Sequence, residues 1–311
     1  MHAWESIQKT LETIEKRIGE EMTIEELANE AALSPFYYQR LFSRLVKKPV
    51  REYIKLRRLD RACEALRGTE NRILDIALDY GFGSHETFTR AFKDTYSINP
   101  TEYRESDVRL NSFLKPDLLL NYIMLDLGVP LISEGLVLEL NRVKLDNPIN
   151  FMGVMDYVSI AGHFPNGEAT GVNEPGEIWR RFNEIEDKIP SKTAGRKIGA
   201  AYHDTAPEGC FPYFAGTEIE PAMANDDFHM WTMPAADYLV VRFEAETFEE
   251  LVSVSLNKAL KYMHTWQRKN GLKLEGFGAE IYYSDTDSNN DGPNYVFMEM
   301  WGLWLEGGSN G

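Results

Sequence analysis

One nine-residue pattern occurs twice in the first hundred residues, at a spacing of 50 positions. The first copy, at 34–42, reads Ser-Pro-Phe-Tyr-Tyr-Gln-Arg-Leu-Phe, and the second, at 84–92, reads Ser-His-Glu-Thr-Phe-Thr-Arg-Ala-Phe. Both copies place an arginine six positions and a phenylalanine eight positions after the serine. Serine is a preferred helix N-cap, and the apolar positions that follow have helical spacing. The repeat therefore predicts two equivalent helices.

The residues around both copies also have helical patterns. A capping box, Thr23-Ile24-Glu25-Glu26, opens a short helix before the first copy, and a Gly81-Phe82-Gly83 turn precedes the second. Between the copies, Pro49 starts a helix of about 17 residues that Gly68 ends. Two short helices joined by a tight turn, with a capped second helix, describe a helix-turn-helix. The pattern predicts an all-α N-terminal domain over 1–108 that contains two helix-turn-helix motifs.

The outward faces of the two capped helices carry side chains that suit DNA. Arginine and glutamine read guanine and adenine edges bidentately in the major groove. A joining helix of about 17 residues spans roughly 25 Å, so the two capped helices can enter adjacent major-groove segments about 34 Å apart on double-stranded DNA. The predicted DNA contacts are Phe36, Gln39, Arg40, Arg44, Arg57, Arg58, His85, Glu86, Thr89, Arg90 and Lys93.

Some of these assignments leave two interpretations open. Arg57, Arg58 and Arg61 lie on the joining helix, where they either contact phosphates or form a solvated helix face. Glu86 either accepts a hydrogen bond from a cytosine amine or is solvated, because phosphates repel a carboxylate.

The charge distribution separates the N-terminal part from the rest. The whole chain has a net charge of −16, but residues 1–108 carry only −2 and residues 109–311 carry −14. Within 34–61 there are nine basic residues and two acidic ones. Charges interact over about 8–10 Å in physiological salt, so this local basic patch can bind DNA despite the acidic average. The chain is expected to have two domains with different partners.

Residues 4–104 resemble the DNA-binding domain of AraC/XylS transcription regulators. The most specific stretch runs from Asp75-Ile76-Ala77 through Tyr80-Gly81-Phe82 to Asn99-Pro100-Thr101-Glu102-Tyr103-Arg104. One departure is Ala32, where many members have glycine in the first turn. The resemblance implies a sequence-specific transcription regulator, and RNA polymerase would be a partner if the protein is an activator.

The periodicity changes after a predicted linker with a short helix at 109–135. From residue 136 the order is strand, helix, strand, strand, and the same order then repeats. Matching glutamates, Glu218 and Glu299, lie near the ends of the two final strands. The pattern predicts an α+β domain over 136–306, in which duplicated strand-helix-strand-strand units form an antiparallel sheet with two helices. A cleft between the halves would suit a small molecule.

This second domain resembles the gyrase-inhibitor-like (GyrI-like) effector-binding domains. The resemblance rests on Glu177-Ile178-Trp179-Arg180-Arg181-Phe182 and on Glu299-Met300-Trp301. It implies a pocket for a small lipophilic, often cationic, effector around a buried glutamate, which in register is Glu299. Aromatic faces attract cations, and a carboxylate offsets their charge. The predicted ligand contacts are Trp179, Phe182, Phe214, Trp231, Tyr283, Glu299 and Trp301.

Two other functions remain open for this domain. Glu299 with Tyr283 or Tyr202 could hydrolyse an electrophilic small molecule, or the domain could bind a protein partner without any ligand. We expect no enzyme activity, no cofactor and no metal. The stretch Asp287–Gly292 matches only half of a calcium loop, because Met298 occupies the position of the bidentate glutamate.

The remaining sequence features bear on the cellular compartment of the protein. Two cysteines cannot form a disulfide framework, the N-terminal residues lack a signal-peptide pattern, and polar residues interrupt the apolar stretch 118–140. We therefore expect a cytoplasmic protein with no membrane partner, and the glycine-rich stretch 307–311 is expected to be a flexible tail.

Overall fold

The structure is a computed structural model that describes residues 3–160, 171–190, 192–220, 227–274, 276–283 and 296–306. Its described residues up to 122 form eight helices. The predicted loop at Asp287–Gly292 and the predicted tail lie outside the described residues. The helices are α1 Ala3–Lys16, α2 Ile24–Glu30, α3 Pro35–Val46, α4 Val50–Gly68, α5 Ile73–Asp79, α6 His85–Tyr96, α7 Pro100–Glu105 and α8 Leu118–Tyr122. None of the described helices is long and apolar enough to cross a membrane.

The 50-residue repeat is confirmed as a repeat of structure. The side chain of Ser34 caps α3 and that of Ser84 caps α6, each by accepting a hydrogen bond from a backbone N–H three residues on. Both helices end at a residue in the left-handed region, with φ of 63° at Lys47 and 62° at Ser97. The buried side chains also match at the same spacing: Tyr38, Phe42 and Val46 in α3, and Phe88, Phe92 and Tyr96 in α6.

Helix α4 supports both motifs. Val50, Tyr53 and Leu56 pack in the core of the first motif. Leu59 and Leu66 pack in the core of the second. Because α4 contributes to two cores, its buried positions spread around the helix instead of following one stripe. The position of a residue on α4 therefore decides whether its side chain reaches solvent.

The chain divides into two compact units, and the first of them extends past the predicted boundary at 108. The helical unit comprises the described residues up to 122 together with Gly171 and Val172, and the second unit contains the other described residues. Phe113 and Leu118, within the predicted linker, are buried in the core of the first motif. These residues belong to the helical unit because their apolar side chains complete its core.

The described residues of the second unit form one nine-stranded antiparallel sheet. Its helices are α9 Glu174–Ile185, a short α10 Phe248–Glu250 and α11 Leu256–Lys269, with a π-helical turn, Leu251–Ser255, between the last two. Its strands are β1 Leu131–Ser133, β2 Leu136–Leu145, β3 Ile149–Ser159, β4 Lys192–Tyr202, β5 Cys210–Ile219, β6 His229–Met233, β7 Ala236–Ala245, β8 Phe277–Tyr283 and β9 Val296–Leu303. Their order in the sheet is β1-β2-β7-β9-β8-β4-β5-β3-β6.

This order contains the predicted duplication. The first repeat is β3-α9-β4-β5 and the second is β7-α11-β8-β9, and the two repeats meet where β4 pairs with β8. Gly199 of β4 lies directly opposite Glu280 of β8 at that junction. Aligning Glu218 with Glu299 also aligns Gly199 with Glu280, because both pairs have the same separation in sequence. The junction therefore joins equivalent residues of the two repeats.

The two faces of the sheet have different cores. Helix α9 packs through Ile178 and Phe182 against Tyr213 and Ala215, which define the helix face. The opposite face carries a second core that includes Phe214, Tyr238 and Trp301. In that core Trp231 of the edge strand β6 contacts Phe277 of β8, with ring centroids 5.0 Å apart, although three strands lie between them in the sheet. The sheet is thus strongly curled around this opposite face.

Candidate functional site

The capped helices of the two motifs present the predicted DNA contacts to solvent. Phe36 is 66% exposed at the start of α3. Arg40, Arg44 and Arg90 have no hydrogen bond or ion pair within the described part of the chain. Thr89 is half-buried, and its hydroxyl has no partner among the described residues. The exposed members of the predicted set are Phe36, Gln39, Arg40, Arg44, His85, Glu86, Arg90 and Lys93.

Arg57 is a correction to that set, because it is a core residue. Its side chain is only 4% exposed, and its guanidinium donates to Glu15 at 2.7 Å, to Asp60 at 2.6 Å and to the carbonyl of Phe113. Burial raises the pKa of Asp60 to about 6, although the neighbouring guanidinium lowers it. Burial also acts to raise the pKa of Glu15, but the hydrogen bonds and charge of Arg57 outweigh it and the pKa lies below its ordinary value. Four of its five N–H donors are used in this network, and burial keeps the guanidinium away from a phosphate.

Arg58 is a second departure from that set, because three of its five N–H donors are already used within the protein. It donates to the carbonyls of Ile18 at 2.8 Å, Glu20 at 2.6 Å and Gly81 at 3.0 Å. The side chain thereby ties the loop after α1 to the turn of the second motif. Arg58 can make all three hydrogen bonds because the three carbonyls lie close together where α4 passes between the motifs.

Two basic residues of α4 that were not predicted as contacts do face solvent. Arg51 is exposed, and Lys55 is half-buried with an ion pair of 2.7 Å to Glu52. They border a groove of about 540 Å³ within the helical unit. Its lining is Gly19, Glu21, Met22, Arg51, Ile54, Lys55, Arg58, Gly81, Phe82 and Gly83. Arg51 and Lys55 are four residues apart on α4 and therefore lie on the same side of that helix.

The predicted ligand contacts are divided between the two faces of the sheet. Trp179 and Phe182 belong to the helix face. The other five, Phe214, Trp231, Tyr283, Glu299 and Trp301, lie on the opposite face, as strand alternation and the shared core show. Phe182 and Phe214 have no exposed surface, so both are core residues in this structure. The structure does not bring the seven residues together at one site.

Glu299 lies in a polar setting that includes arginines. Its Oε2 accepts hydrogen bonds from the hydroxyl of Tyr283 at 2.5 Å and the indole of Trp301 at 2.9 Å. Arg242 is its direct neighbour in β7, and the guanidinium of Arg242 stacks 3.9 Å from the ring centroid of Phe297. A carboxylate beside an arginine already has a cationic neighbour. Glu299 therefore offers less electrostatic gain to a cationic ligand than an isolated carboxylate does.

A second carboxyl, which sequence reasoning missed, lies on the helix face. Oε2 of Glu280 accepts hydrogen bonds from Tyr282 at 2.8 Å and from Tyr213 at 3.2 Å, and Tyr213 in turn accepts one from the indole of Trp179 at 2.9 Å. We call these four residues the Glu280 cluster. Burial raises the pKa of Glu280 to about 7, although both tyrosines lower it. Within the described residues, no arginine or lysine neutralises this carboxyl, and its Oε1 accepts no hydrogen bond.

The Glu280 cluster depends on the glycine opposite. A Cβ at Gly199 would lie 2.3 Å from the hydroxyl of Tyr213 and 3.0 Å from Oε2 of Glu280. The ring of Phe248, an exposed residue, lies 6.1 Å from that of Tyr282. Glu280 and Trp179 are half-buried, so the cluster reaches the surface. The signal that could have found it is the alternation Glu280-Ile281-Tyr282, which places a carboxyl and a hydroxyl on one face of a strand.

Comparisons with known proteins agree with this division. A model of a helix-turn-helix domain matches residues 27–106, and a model of a GyrI-like small molecule binding domain matches residues 155–301. The transcriptional regulator Rob of Salmonella typhimurium is 37% identical over an alignment of 212 residues, and the match covers 63% of this chain and 72% of Rob. The regulatory protein SoxS of the same organism is 38% identical over 98 residues, which are 32% of this chain and 92% of SoxS.

A further relative shares only part of its length with this chain. The HTH-type transcriptional regulator YbfP of Bacillus subtilis is 41% identical over 112 residues, and the match covers 36% of this chain and 38% of YbfP. The relatives are thus transcription regulators that match to different extents. With its two capped helices and its duplicated sheet, the chain belongs to the AraC-type helix-turn-helix transcription regulators, and it combines their DNA-binding domain with a GyrI-like small-molecule-binding domain.

Proposed function

We propose that α3 and α6 read two adjacent major-groove segments, and that the Glu280 cluster binds a lipophilic cation that controls this activity. The single observation that carries the second part is a carboxyl, Glu280, that is held among three aromatic side chains and forms no ion pair in the described residues. The DNA part rests on the paired, exposed faces of two helices that share one supporting helix.

The reading faces differ between the two motifs. In the first, Gln39 and Arg40 have the donor and acceptor pattern for adenine and guanine edges. In the second, Arg90 occupies the position equivalent to Arg40, while Glu86 adds an acceptor suited to a cytosine amine. Arg51 and Lys55 supply phosphate contacts in place of Arg57 and Arg58. Each motif is therefore expected to prefer its own sequence.

A spacing experiment tests the DNA part. The protein is used to select a duplex from a random pool, and about five base pairs, roughly half a helical turn, are inserted between the two protected segments. We expect most of the affinity to be lost, because α4 fixes the spacing of the two helices. A ten-base-pair insertion controls for length alone and keeps the helical phase. Equal affinity for the selected duplex and the half-turn duplex would mean that only one motif reads DNA.

The ligand class follows from the electrostatics of the Glu280 cluster. Burying a carboxylate without a partner is costly, and a bound cation removes much of that cost. Aromatic faces add about 0.5–2 kcal/mol each when a cation lies over them in a dry site. A neutral molecule of the same shape gains the aromatic contacts but leaves the carboxyl without a cation. The cluster should thus prefer lipophilic cations to neutral analogues.

Tetraphenylphosphonium and triphenylphosphine oxide are suitable cationic and neutral probes. We expect saturable quenching of tryptophan emission by the cation and weaker binding of the oxide. Glu280→Gln should weaken the cation by about 10-fold to 100-fold and spare the oxide. Glu299→Gln is the matched control on the opposite face. If Glu299→Gln loses the cation while Glu280→Gln keeps it, the predicted acid Glu299 is the ligand contact and the Glu280 assignment is wrong.

The same samples address the other functions considered for this domain. A hydrolase would convert an electrophilic ester probe with kinetics that depend on a carboxyl and a tyrosine, whereas an effector site returns its ligand unchanged. We propose reversible binding without turnover. Failure of every lipophilic probe to bind would favour a protein partner instead. RNA polymerase would be a further partner if binding of the protein to its DNA site increases transcription.

A further inference from the structure

Two residues from the connection between β3 and α9 belong to the helical unit. The backbone N–H of Asn111 donates to the carbonyl of Gly171 at 2.7 Å, and its side-chain amide donates to the carbonyl of Val172 at 3.1 Å. Leu110 and Val172 form an isolated antiparallel bridge. We call this contact the 110–172 bridge. It fastens a segment of chain that leads directly into the ligand-binding domain.

Only one residue, Asn173, lies between Val172 and helix α9. Asn173 caps α9, with its side chain accepting a hydrogen bond from the N–H of Gly176 at 3.0 Å. Less than two turns later, α9 carries Trp179, whose indole donates to the hydroxyl of Tyr213 in the Glu280 cluster. Because a helix is stiff, a shift of Trp179 moves the capped end of α9 as well.

On its other side the 110–172 bridge leads to α4. Phe113, two residues beyond Asn111, donates its N–H to Asp60 at 2.9 Å and accepts from Arg57 at its carbonyl. The ring of Phe113 packs on Tyr53, with centroids 6.0 Å apart. Tyr53, Arg57 and Asp60 all belong to α4, the helix that supports both DNA-reading motifs. The anchored segment thus connects the bridge to the helix that sets their spacing.

We propose that the 110–172 bridge couples the Glu280 cluster to DNA binding, so that ligand binding and DNA binding change each other's affinity through it. This inference rests on the proposed function, because it concerns regulation of the same site. The bridge is suited to open and close, since it consists of few hydrogen bonds at the surface and Val172 is 46% exposed. The contacts of Phe113 with α4, by contrast, are buried.

Reciprocity allows a test that needs no ligand. If the two sites are coupled, DNA binding must alter α9 just as a ligand alters DNA affinity. Hydrogen exchange of a peptide covering residues 173–182 is measured in the full chain, with and without a duplex selected by the wild-type protein. We expect exchange to change by about threefold or more when DNA binds. No change in the wild type would overturn the proposal.

Substitutions at Asn111 connect that change to the bridge. Asn111→Pro removes both the backbone and the side-chain donor, and the extended bridge residue before it tolerates a following proline. Asn111→Ala removes the side-chain donor alone, and Ser112→Ala is a control at the exposed neighbour. The DNA-induced change should vanish in Asn111→Pro, shrink in Asn111→Ala and persist in Ser112→Ala. DNA affinity within about threefold of wild type verifies that each variant is folded.

A ligand experiment separates this inference from the proposed function. Tetraphenylphosphonium should change the DNA affinity of the wild type by about 5-fold to 150-fold and that of Asn111→Pro by less than about twofold. If the probe does not bind the wild type, the proposed ligand site fails, while the exchange experiment still decides the role of the bridge. If DNA changes α9 equally in the wild type and in both Asn111 variants, the coupling runs elsewhere and the inference is wrong.

Discussion

Both units of this protein contain an internal duplication, but the copies have different relations to function. In the helical unit each copy keeps its own capped helix, with matching buried residues and separate outward faces. In the sheet unit the copies meet at the β4–β8 pair, and equivalent positions have diverged to Gly199 in one and Glu280 in the other. The glycine provides the space and the glutamate provides the charge. In the helical unit, where the copies are separate, duplication gives two similar helix faces. In the sheet unit, where the copies pair, it places two different residues, Gly199 and Glu280, opposite each other.

The largest expected effect concerns the helix that joins the two DNA-reading copies. Arg57→Ala leaves Glu15 and Asp60 buried without their partner, which should lower the free energy of unfolding of the helical unit by about 3–5 kcal/mol. Arg40→Ala, on an exposed face, should leave stability within about 0.5 kcal/mol and reduce discrimination at one base pair by about 1–3 kcal/mol. Urea unfolding followed by circular dichroism, and competition binding with single-base variants, measure the two effects.

A stable Arg57→Ala protein with uniformly weaker DNA binding would restore Arg57 as a phosphate contact. It would also mean that α4 joins the two copies without the buried ion network described above.

The turns of the two motifs provide the next comparison. Gly81 has a φ of 72°, and a Cβ there would lie 2.7 Å from the guanidinium carbon of Arg58. Ala32 occupies the corresponding turn with a φ of 55°. We expect Gly81→Ala to destabilise the helical unit by about 1–3 kcal/mol and Ala32→Gly to stabilise it by about 0.5–1 kcal/mol. Thermal unfolding of both variants measures this, and shifts of the same sign would show that the turns are not equivalent.

The next prediction concerns the space that Gly199 of β4 leaves for the Glu280 cluster, and it is tested by adding a methyl group at this position. Gly199→Ala should reduce tetraphenylphosphonium affinity about tenfold, because the new methyl group displaces Tyr213 from Glu280. Gly278→Ala is the matched control, since its Cβ would meet only the end of Met300 at 3.4 Å. Fluorescence titration measures both affinities. Unchanged affinity in Gly199→Ala, with normal folding, would remove Gly199 from the site.

The smallest expected effect is a pH dependence on the glutamate side. The pKa of Glu280 is about 7 when folded, above the ordinary value of 4.5, so the folded state binds the extra proton. Its stabilising effect is complete below pH 4.5 and is lost as the pH rises through 7. We expect the stability of the sheet unit to fall across that window, and Glu280→Gln to abolish this fall. Asp60, in the helical unit, titrates both in the wild type and in Glu280→Gln. The difference between their urea midpoints, measured across this pH range, therefore gives the contribution of Glu280 alone.

The sequence predicted the duplications because each rests on local signals. Serine caps, apolar spacing and strand alternation act within a few residues, so α3, α6 and the repeated strand order follow from them. Arg57 could not be assigned this way, because α4 packs into two cores and no single polar stripe identifies its solvent side. Glu280 and Glu299 lie on opposite faces because Ile281 pairs with Glu299 in the β8–β9 register, but alternation within each strand predicts neither this pairing nor the face that the helices cover. That choice depends on how the repeats pair.

The anchoring of Phe113 on α4 also determines how portable the DNA-binding domain is. A fragment cut after residue 108, where the repeated pattern ends, would lose the backbone groups that satisfy Asp60 and Arg57 and would expose Tyr53. A fragment extended to residue 122 would retain them along with Leu118. The segment that recombination can exchange between proteins is thus longer than the duplicated segment. The reason is that Phe113 and Leu118, which complete the core of the first motif, come from the chain that leads to the next domain.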